Sequence, residues 1–246
     1  MGARAHGLAN ASSCLSDPWS LTNNIAGLAK AENPVVAFSY HAIPSIPFFN
    51  RMAALFSIPV TDGGAGISVF RFGDNLYNEL SISAGAAHTF GLASLGLKVN
   101  YLQYHAEGFG TNTALTLSFG GIAEITPQVS VGAHIVNINQ PVINESSGER
   151  IPTSLIAGIA FKLSDKTIIL TEIEKDLEYS PIWKMAFEYQ PVKRIVFRTG
   201  FNLNPEVGFF GVGFKPNKFD LDYSLQFNDA FGISHQATVL YQFRQK

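Results

Sequence analysis

After residue 33 the chain alternates between apolar and polar positions with few interruptions. Trp183, Met185, Phe187 and Tyr189 share one parity, and Lys184, Ala186, Glu188 and Gln190 the other. Ile195, Phe197, Thr199, Phe201 and Leu203 alternate in the same way with Val196, Arg198, Gly200 and Asn202. Phe219, Leu221, Tyr223, Leu225 and Phe227 alternate with Asp220, Asp222, Ser224 and Gln226. A strand sends successive side chains to opposite faces, so each run predicts a strand with one apolar and one polar face. Residues 92–104, 112–123 and 233–243 carry the pattern less cleanly.

Turn signals separate the runs, among them Asp62-Gly63-Gly64, Gly73-Asp74-Asn75, Thr126-Pro127, Ser164-Asp165-Lys166, Asn204-Pro205 and Lys215-Pro216-Asn217. They leave fourteen predicted strands, near 34–42, 51–60, 64–73, 77–89, 92–105, 112–124, 128–137, 152–163, 166–175, 181–190, 194–203, 206–214, 218–227 and 232–243. Each strand with its turn takes about 15 residues, room for the roughly 9–11 residues of a membrane-crossing strand and a short connection. So much strand suits a closed barrel, which has no edges to protect. The expectation is an all-β, transmembrane, antiparallel up-and-down β-barrel over 34–246 with a short N-terminal hatch or plug over 1–33. Short turns, such as 61–63, 125–127 and 215–217, fall on one side of the membrane. Longer loops at 43–50, 106–111 and 138–151 fall on the other. The rival reading is a soluble β-sandwich, which requires more charge on its outer face than these polar positions, rich in Gly, Ala, Ser and Thr, supply.

Composition sharpens this choice. Charged residues are 15% and aromatics 12% of 246, with 20 Phe and 8 Tyr, and the mean hydropathy is +0.13. A disordered chain needs low hydrophobicity and high charge. Seventeen Lys+Arg against 19 Asp+Glu leave no basic excess, so nucleic acid is not an expected partner. No run approaches the ~18 apolar residues of a spanning helix, whereas alternation hides the hydrophobicity of a barrel. No signal peptide is visible at Met1–His6. One cysteine, Cys14, excludes an internal disulfide or a CxxC metal site.

The opening reads Gly2-Ala3-Arg4-Ala5-His6-Gly7-Leu8-Ala9-Asn10, then Asp17-Pro18-Trp19-Ser20 and Asn23-Asn24-Ile25-Ala26-Gly27-Leu28-Ala29. Toward the end come Arg198-Thr199-Gly200-Phe201, Gly211-Val212-Gly213-Phe214, Asp222-Tyr223-Ser224 and Gly232-Ile233-Ser234-His235. In order and spacing these motifs resemble the FadL-type outer-membrane proteins, in particular small members of the PorV/PorQ-like branch. Ile25 stands where that branch commonly has proline. The resemblance implies a 14-stranded barrel, a lumenal hatch, the bacterial outer membrane and a signal peptide that has been removed. It does not settle activity; together with the short loops, which suit a compact scaffold, it points to a non-enzymatic partner or accessory subunit of an envelope machine, for type IX secretion or outer-membrane assembly. The alternative is a transporter or channel for small hydrophobic compounds, which needs a lateral opening or a continuous apolar cavity; Gly120-Gly121 and Pro59 are where a strand would kink. The expected partners are outer-membrane lipid, other envelope proteins, and, for a channel, a hydrophobic small molecule.

On the polar parity, Glu172, Glu174, Lys184, Glu188, Arg198, Asp220 and Asp222 face the expected lumen, with Glu188 placed diagonally across a hairpin from Arg198. They form either a translocation path or hatch-docking patch, or a charge network that neutralises itself. Trp19, Asn23, Asn24 and Gly27 are the hatch candidates, with Trp19 the one large anchor of a small and polar segment. The hatch either gates a passage or fills it. Catalysis has little support: there is no G-x-S-x-G elbow, and Ser234 and His235 point to opposite faces. The six histidines show no metal-binding spacing, and no cofactor is expected. Tyr40, Phe90, Trp183, Tyr189, Phe231, Tyr241 and Phe243, near strand ends, are candidates for interfacial girdles.

Overall fold

A computed structural model describes residues 1–144, 148–229 and 232–243. The strands are β1 (Val35–Ala42), β2 (Arg51–Val60), β3 (Gly63–Gly73), β4 (Tyr77–Phe90), β5 (Ala93–Ala106), β6 (Gly110–Thr126), β7 (Val129–Val136), β8 (Val142–Asn144), β9 (Glu149–Arg150), β10 (Ser154–Ser164), β11 (Thr167–Asp176), β12 (Ile182–Val192), β13 (Ile195–Leu203), β14 (Val207–Phe214), β15 (Phe219–Asn228) and β16 (Gly232–Gln242). All but β8 and β9 join one closed antiparallel barrel, each strand beside its neighbour in sequence and β16 closing onto β1. These fourteen are the runs the alternation predicts, with ends shifted by a residue or two. The addition is β8–β9, a two-stranded hairpin in the longest connection, where the sequence pattern indicates only a loop. Phe231 lies outside the described residues, as do 145–147 of that loop.

The parity is that of a membrane barrel. Trp183 is 53% exposed and Met185 48%, whereas Lys184 is 6% and Ala186 3%. Apolar side chains point out and polar ones in, the reverse of a soluble core, and no helix is long and apolar enough to cross a membrane. At the short-turn end Phe219 meets Tyr241 with ring centroids 5.0 Å apart, and Tyr241 meets Phe243 at 4.9 Å.

A barrel of about eight strands fills itself with side chains, but a wider one leaves space. Here residues 1–33 occupy it. A short helix, α1 (Ala3–Gly7), lies against β13–β16, and a 3-10 turn over Ile25–Lys30 lies against β3–β6. The hatch is not the polar segment with a single anchor that its composition suggests. Leu8, Leu21, Ile25 and Leu28 are buried as fully as Trp19. They pack on an apolar lumen wall made by Val35, Ala37, Leu55 and Leu240 on one side and by Leu170 and Ala186 on the other. The hatch therefore carries its own hydrophobic core into a channel whose inner face is greasy where it docks.

Candidate functional site: the lumen and its hatch

Two charge clusters tie the hatch to the wall. In the first, Glu188 and Arg198 are directly opposite in the β12–β13 register rather than diagonal. Arg198 Nε donates to Glu188 Oε2 at 2.6 Å and Nη1 to Asp222 Oδ1 at 2.6 Å. From the hatch, Arg4 grips the same carboxylate with Nε at 3.0 Å and Nη2 at 2.8 Å, and its Nη1 reaches Asp17 Oδ2 at 3.0 Å. The signs alternate along the row Asp17, Arg4, Glu188, Arg198, Asp222, so each buried charge has an opposite neighbour. Gly213 leaves room for the pair at its end, because a Cβ there would lie 2.5 Å from Asp222 Oδ1.

The second cluster is Lys184 between Glu172 and Glu174, at 2.8 and 2.6 Å. Glu172 also accepts the backbone N–H groups of Ser12 and Ser13 at 2.9 and 2.7 Å. Six of the seven lumenal candidates thus sit in these two clusters. Asp220 faces the lumen but forms no ion pair among the described residues, and so falls outside both. Arg4, Asp17 and the Ser12–Ser13 amides escape a reading of strand parity because they lie on a segment with no period. The only cue in the sequence is an arginine inside an otherwise small-residue run.

The hatch candidates hold the plug's own fold and its seam with the wall. Trp19 stacks over Gly2, where a Cβ would lie 2.7 Å from the indole. Asn23 Nδ2 donates to Met1 O at 3.0 Å. Gly27 allows two hatch turns to touch, since a Cβ would lie 2.2 Å from Leu15 O. Asn24 is fully buried and caps the Ile25–Lys30 turn by accepting from Ala26 N at 3.2 Å. Its Nδ2 donates to Ser13 O at 2.6 Å and to Gly121 O, in the barrel wall, at 3.1 Å. Beside it the Cys14 thiol reaches Gly158 O at 3.3 Å. Burial pushes that thiol up to about 11, so it is not a reactive thiolate at neutral pH.

These contacts meet a part of the wall built of small residues. On the outward parity Gly121, Ala133 and Ala157 are register partners across β6, β7 and β10, between the larger Leu95 and Ile173. On the inward parity Gly120, Gly132 and Gly158 lie alongside. The outer surface there sinks into an apolar depression of about 570 Å³ bordered by Leu95, Ile159, Ile173 and Trp183. Inside, a Cβ on Gly120 would lie 2.0 Å from Asn24 Oδ1, and one on Gly132 2.1 Å from Ser13 O. The strand pairing runs through this region unbroken, so no hole exists with the hatch in place. The wall is a single layer of backbone between the bilayer and the plug.

That arrangement makes Gly132 a sensitive position. Gly132→Ala is expected to displace Ser13 and loosen the hatch, read as faster proteolysis of residues 1–33 in detergent. Gly208→Ala, at a glycine with nothing within 4 Å of the added methyl, is expected to leave that rate unchanged.

No protein-family model and no curated protein matches the chain. Solved structures do match over essentially the whole length. CymD, a monoaromatic hydrocarbon channel, is 12% identical with a TM-score of 0.77, covering 99% of this chain and 98% of that one. The toluene transporter TodX of Pseudomonas putida is 11% identical with a TM-score of 0.71, covering 98% and 96%. A FadL homologue of Pseudomonas aeruginosa is 11% identical at a TM-score of 0.69, covering 99% and 98%. At this identity the likeness is one of fold, and coverage of 99% takes in the hatch as well as the barrel.

Proposed function

We propose that this chain is an outer-membrane channel for small hydrophobic compounds, with the hatch controlling passage between the lumen and the bilayer. The observation that carries the reading is the thin wall at Gly121, Ala133 and Ala157, apolar outside and sealed inside by hatch atoms. A hydrophobic compound has no reason to enter the periplasm when an apolar surface leads sideways into lipid. At the long-loop end Phe70, Phe72, Leu102 and Tyr104 lie on the inward parity and are only half-buried, so the entrance is greasy too. The fold neighbours named as hydrocarbon channels support the same reading. Membership of the PorV/PorQ-like branch rests on the sequence motifs, and the accessory role in an envelope machine on those motifs and the short loops. The channel reading has the geometry of the wall behind it as well.

The test is uptake of the fluorescent hydrophobic probe N-phenyl-1-naphthylamine by Gram-negative cells expressing the barrel. Faster uptake than in cells with an empty vector is the expected result. Equal rates, with the folded barrel present in the outer membrane, would overturn the proposal.

A further inference from the structure

Charge is divided unevenly around the rim at the short-turn end of the barrel. The turns that join β10 to β11, β12 to β13 and β14 to β15 are neighbours there, and they carry Lys166, Lys193, Arg194, Lys215 and Lys218. Backbone hydrogen bonds set these residues along one arc. Gln190 N donates to Lys166 O at 2.8 Å, Lys215 N to Arg194 O at 2.9 Å, and Gln242 N to Lys218 O at 2.8 Å. None of these bases forms an ion pair among the described residues. The acid on these turns, Asp165, pairs with Lys162 at 3.2 Å. Lys215 is half-buried and lies within electrostatic reach of Asp220, which faces the lumen, while the other bases are exposed. The rest of the rim differs: Asp62 and Glu32 are exposed, and Lys30 pairs with Glu124 at 3.1 Å.

The depth of the arc follows from the apolar residues beside it. Val192, Ile195, Phe214 and Leu221 are register partners in one row across β12 to β15, on the outward face and all exposed. Val192 and Ile195 flank the Lys193-Arg194 pair, and Phe214 and Phe219 bracket the turn from Lys215 to Lys218. The lipid-facing band therefore runs up to the bases themselves. A strand rises only about 3.3 Å per residue, and a lysine or arginine lays its stem along apolar surface while its charge seeks water. These charges stand at the level of the lipid headgroups. They follow the edge of the lipid-facing band, so the surface that meets them is the membrane's own.

We propose that this arc is a binding surface for the headgroups of anionic phospholipid, whose acyl chains cover the row of Val192, Ile195, Phe214 and Leu221. Bases at a membrane surface attract anionic lipid through its net charge, which a zwitterionic headgroup lacks. The uneven rim gives the selection a side: anionic lipid gathers against β10 to β15, and the part of the rim with Asp62 and Glu32 offers it nothing. Short turns of an outer-membrane barrel face the periplasm, which makes the periplasmic leaflet the source of the lipid. The proposal rests on the barrel spanning a membrane and not on its cargo, so unchanged uptake of N-phenyl-1-naphthylamine would leave it standing.

The test uses the full chain refolded into phosphatidylcholine vesicles holding a trace of spin-labelled phosphatidylglycerol or of spin-labelled phosphatidylcholine. The share of each label immobilised at the protein surface is read from its electron spin resonance spectrum. The phosphatidylglycerol label is expected to be favoured about twofold or more over the whole lipid shell, since one base favours its own lipid by about fivefold. That preference is expected to vanish at about 1 M NaCl, where screening sets in within ~3 Å. Lys193→Gln combined with Arg194→Gln is expected to lower it by about half, the arc keeping its remaining bases. Lys30→Gln combined with Arg150→Gln removes as much charge away from the arc and is expected to leave the preference unchanged. An equal fall in both double variants would overturn the proposal, because selection would then follow net charge. The unmodified barrel decides the matter without any variant. Equal association of the two labels overturns the proposal and turns the search to a soluble acidic partner, and a preference that persists in high salt overturns it as well.

Discussion

Deleting residues 2–30 is expected to leave a barrel that inserts but conducts ions freely. All fourteen barrel strands begin at or after Val35, and closure by β16 onto β1 uses no hatch residue. The ion pairs within the wall survive the deletion, because Arg198 keeps Glu188 and Asp222, and Lys184 keeps Glu172 and Glu174. What disappears is the plug, and with it the cover over Val35, Ala37, Leu55, Leu170 and Leu240. Water would then enter a lumen that is partly apolar, so the truncated barrel should unfold at lower denaturant than the intact one while showing a large, steady conductance in planar bilayers. A barrel that inserts and conducts no better than the intact chain would show that side chains of the wall, rather than the hatch, block the pore. Failure to insert would place the hatch in the folding core.

The second large effect is expected at Arg198, 1% exposed and paired with two carboxylates. Arg198→Met removes the only ion-pair partner of Asp222 among the described residues and leaves Glu188 to Arg4 alone. Stranding a buried charge in this way costs about 3–5 kcal/mol. Urea unfolding of the barrel refolded into lipid should show that loss. Arg198→Met combined with Asp222→Leu should recover much of it, since replacing both members of a buried pair by apolar residues is often near neutral. A double variant as unstable as the single one would mean that the arginine acts through packing rather than charge.

The barrel could be read from the sequence because a strand's period is local. Trp183, Met185, Phe187 and Tyr189 report their face whatever surrounds them, and Gly, Asn, Asp and Pro mark the turns. The same parity places Glu172, Glu174, Lys184, Glu188, Arg198 and Asp222 on the inner face. It does not tell which of them meet, because pairing across strands depends on register: a shift by one step separates a diagonal Glu188–Arg198 contact from the direct one. The hatch as a whole obeys no period. Of its buried residues, Leu21, Ile25 and Leu28 do stand at helical spacing, but over a stretch that folds as two short 3-10 turns rather than one helix, Leu8 lies apart from them, and Arg4 and Asp17 acquire their roles only by lying against the lumen wall. Gly120, Gly132 and Gly158 look like ordinary strand glycines until Ser13 and Asn24 are seen pressed against them. The hairpin β8–β9 carries no alternation long enough to notice.

If the hatch seals a lateral path, fixing it to the wall must stop transport. Ala160→Cys places a second thiol on the inner face of β10, packed in the same cluster as Cys14. A disulfide between them would tie the plug to the thin wall without altering any residue of the charge clusters. Uptake of N-phenyl-1-naphthylamine by cells carrying this variant should fall to the empty-vector rate when the pair is oxidised and return on reduction. Uptake that is equally fast with the disulfide formed, verified by thiol labelling of the same cells, would contradict the account.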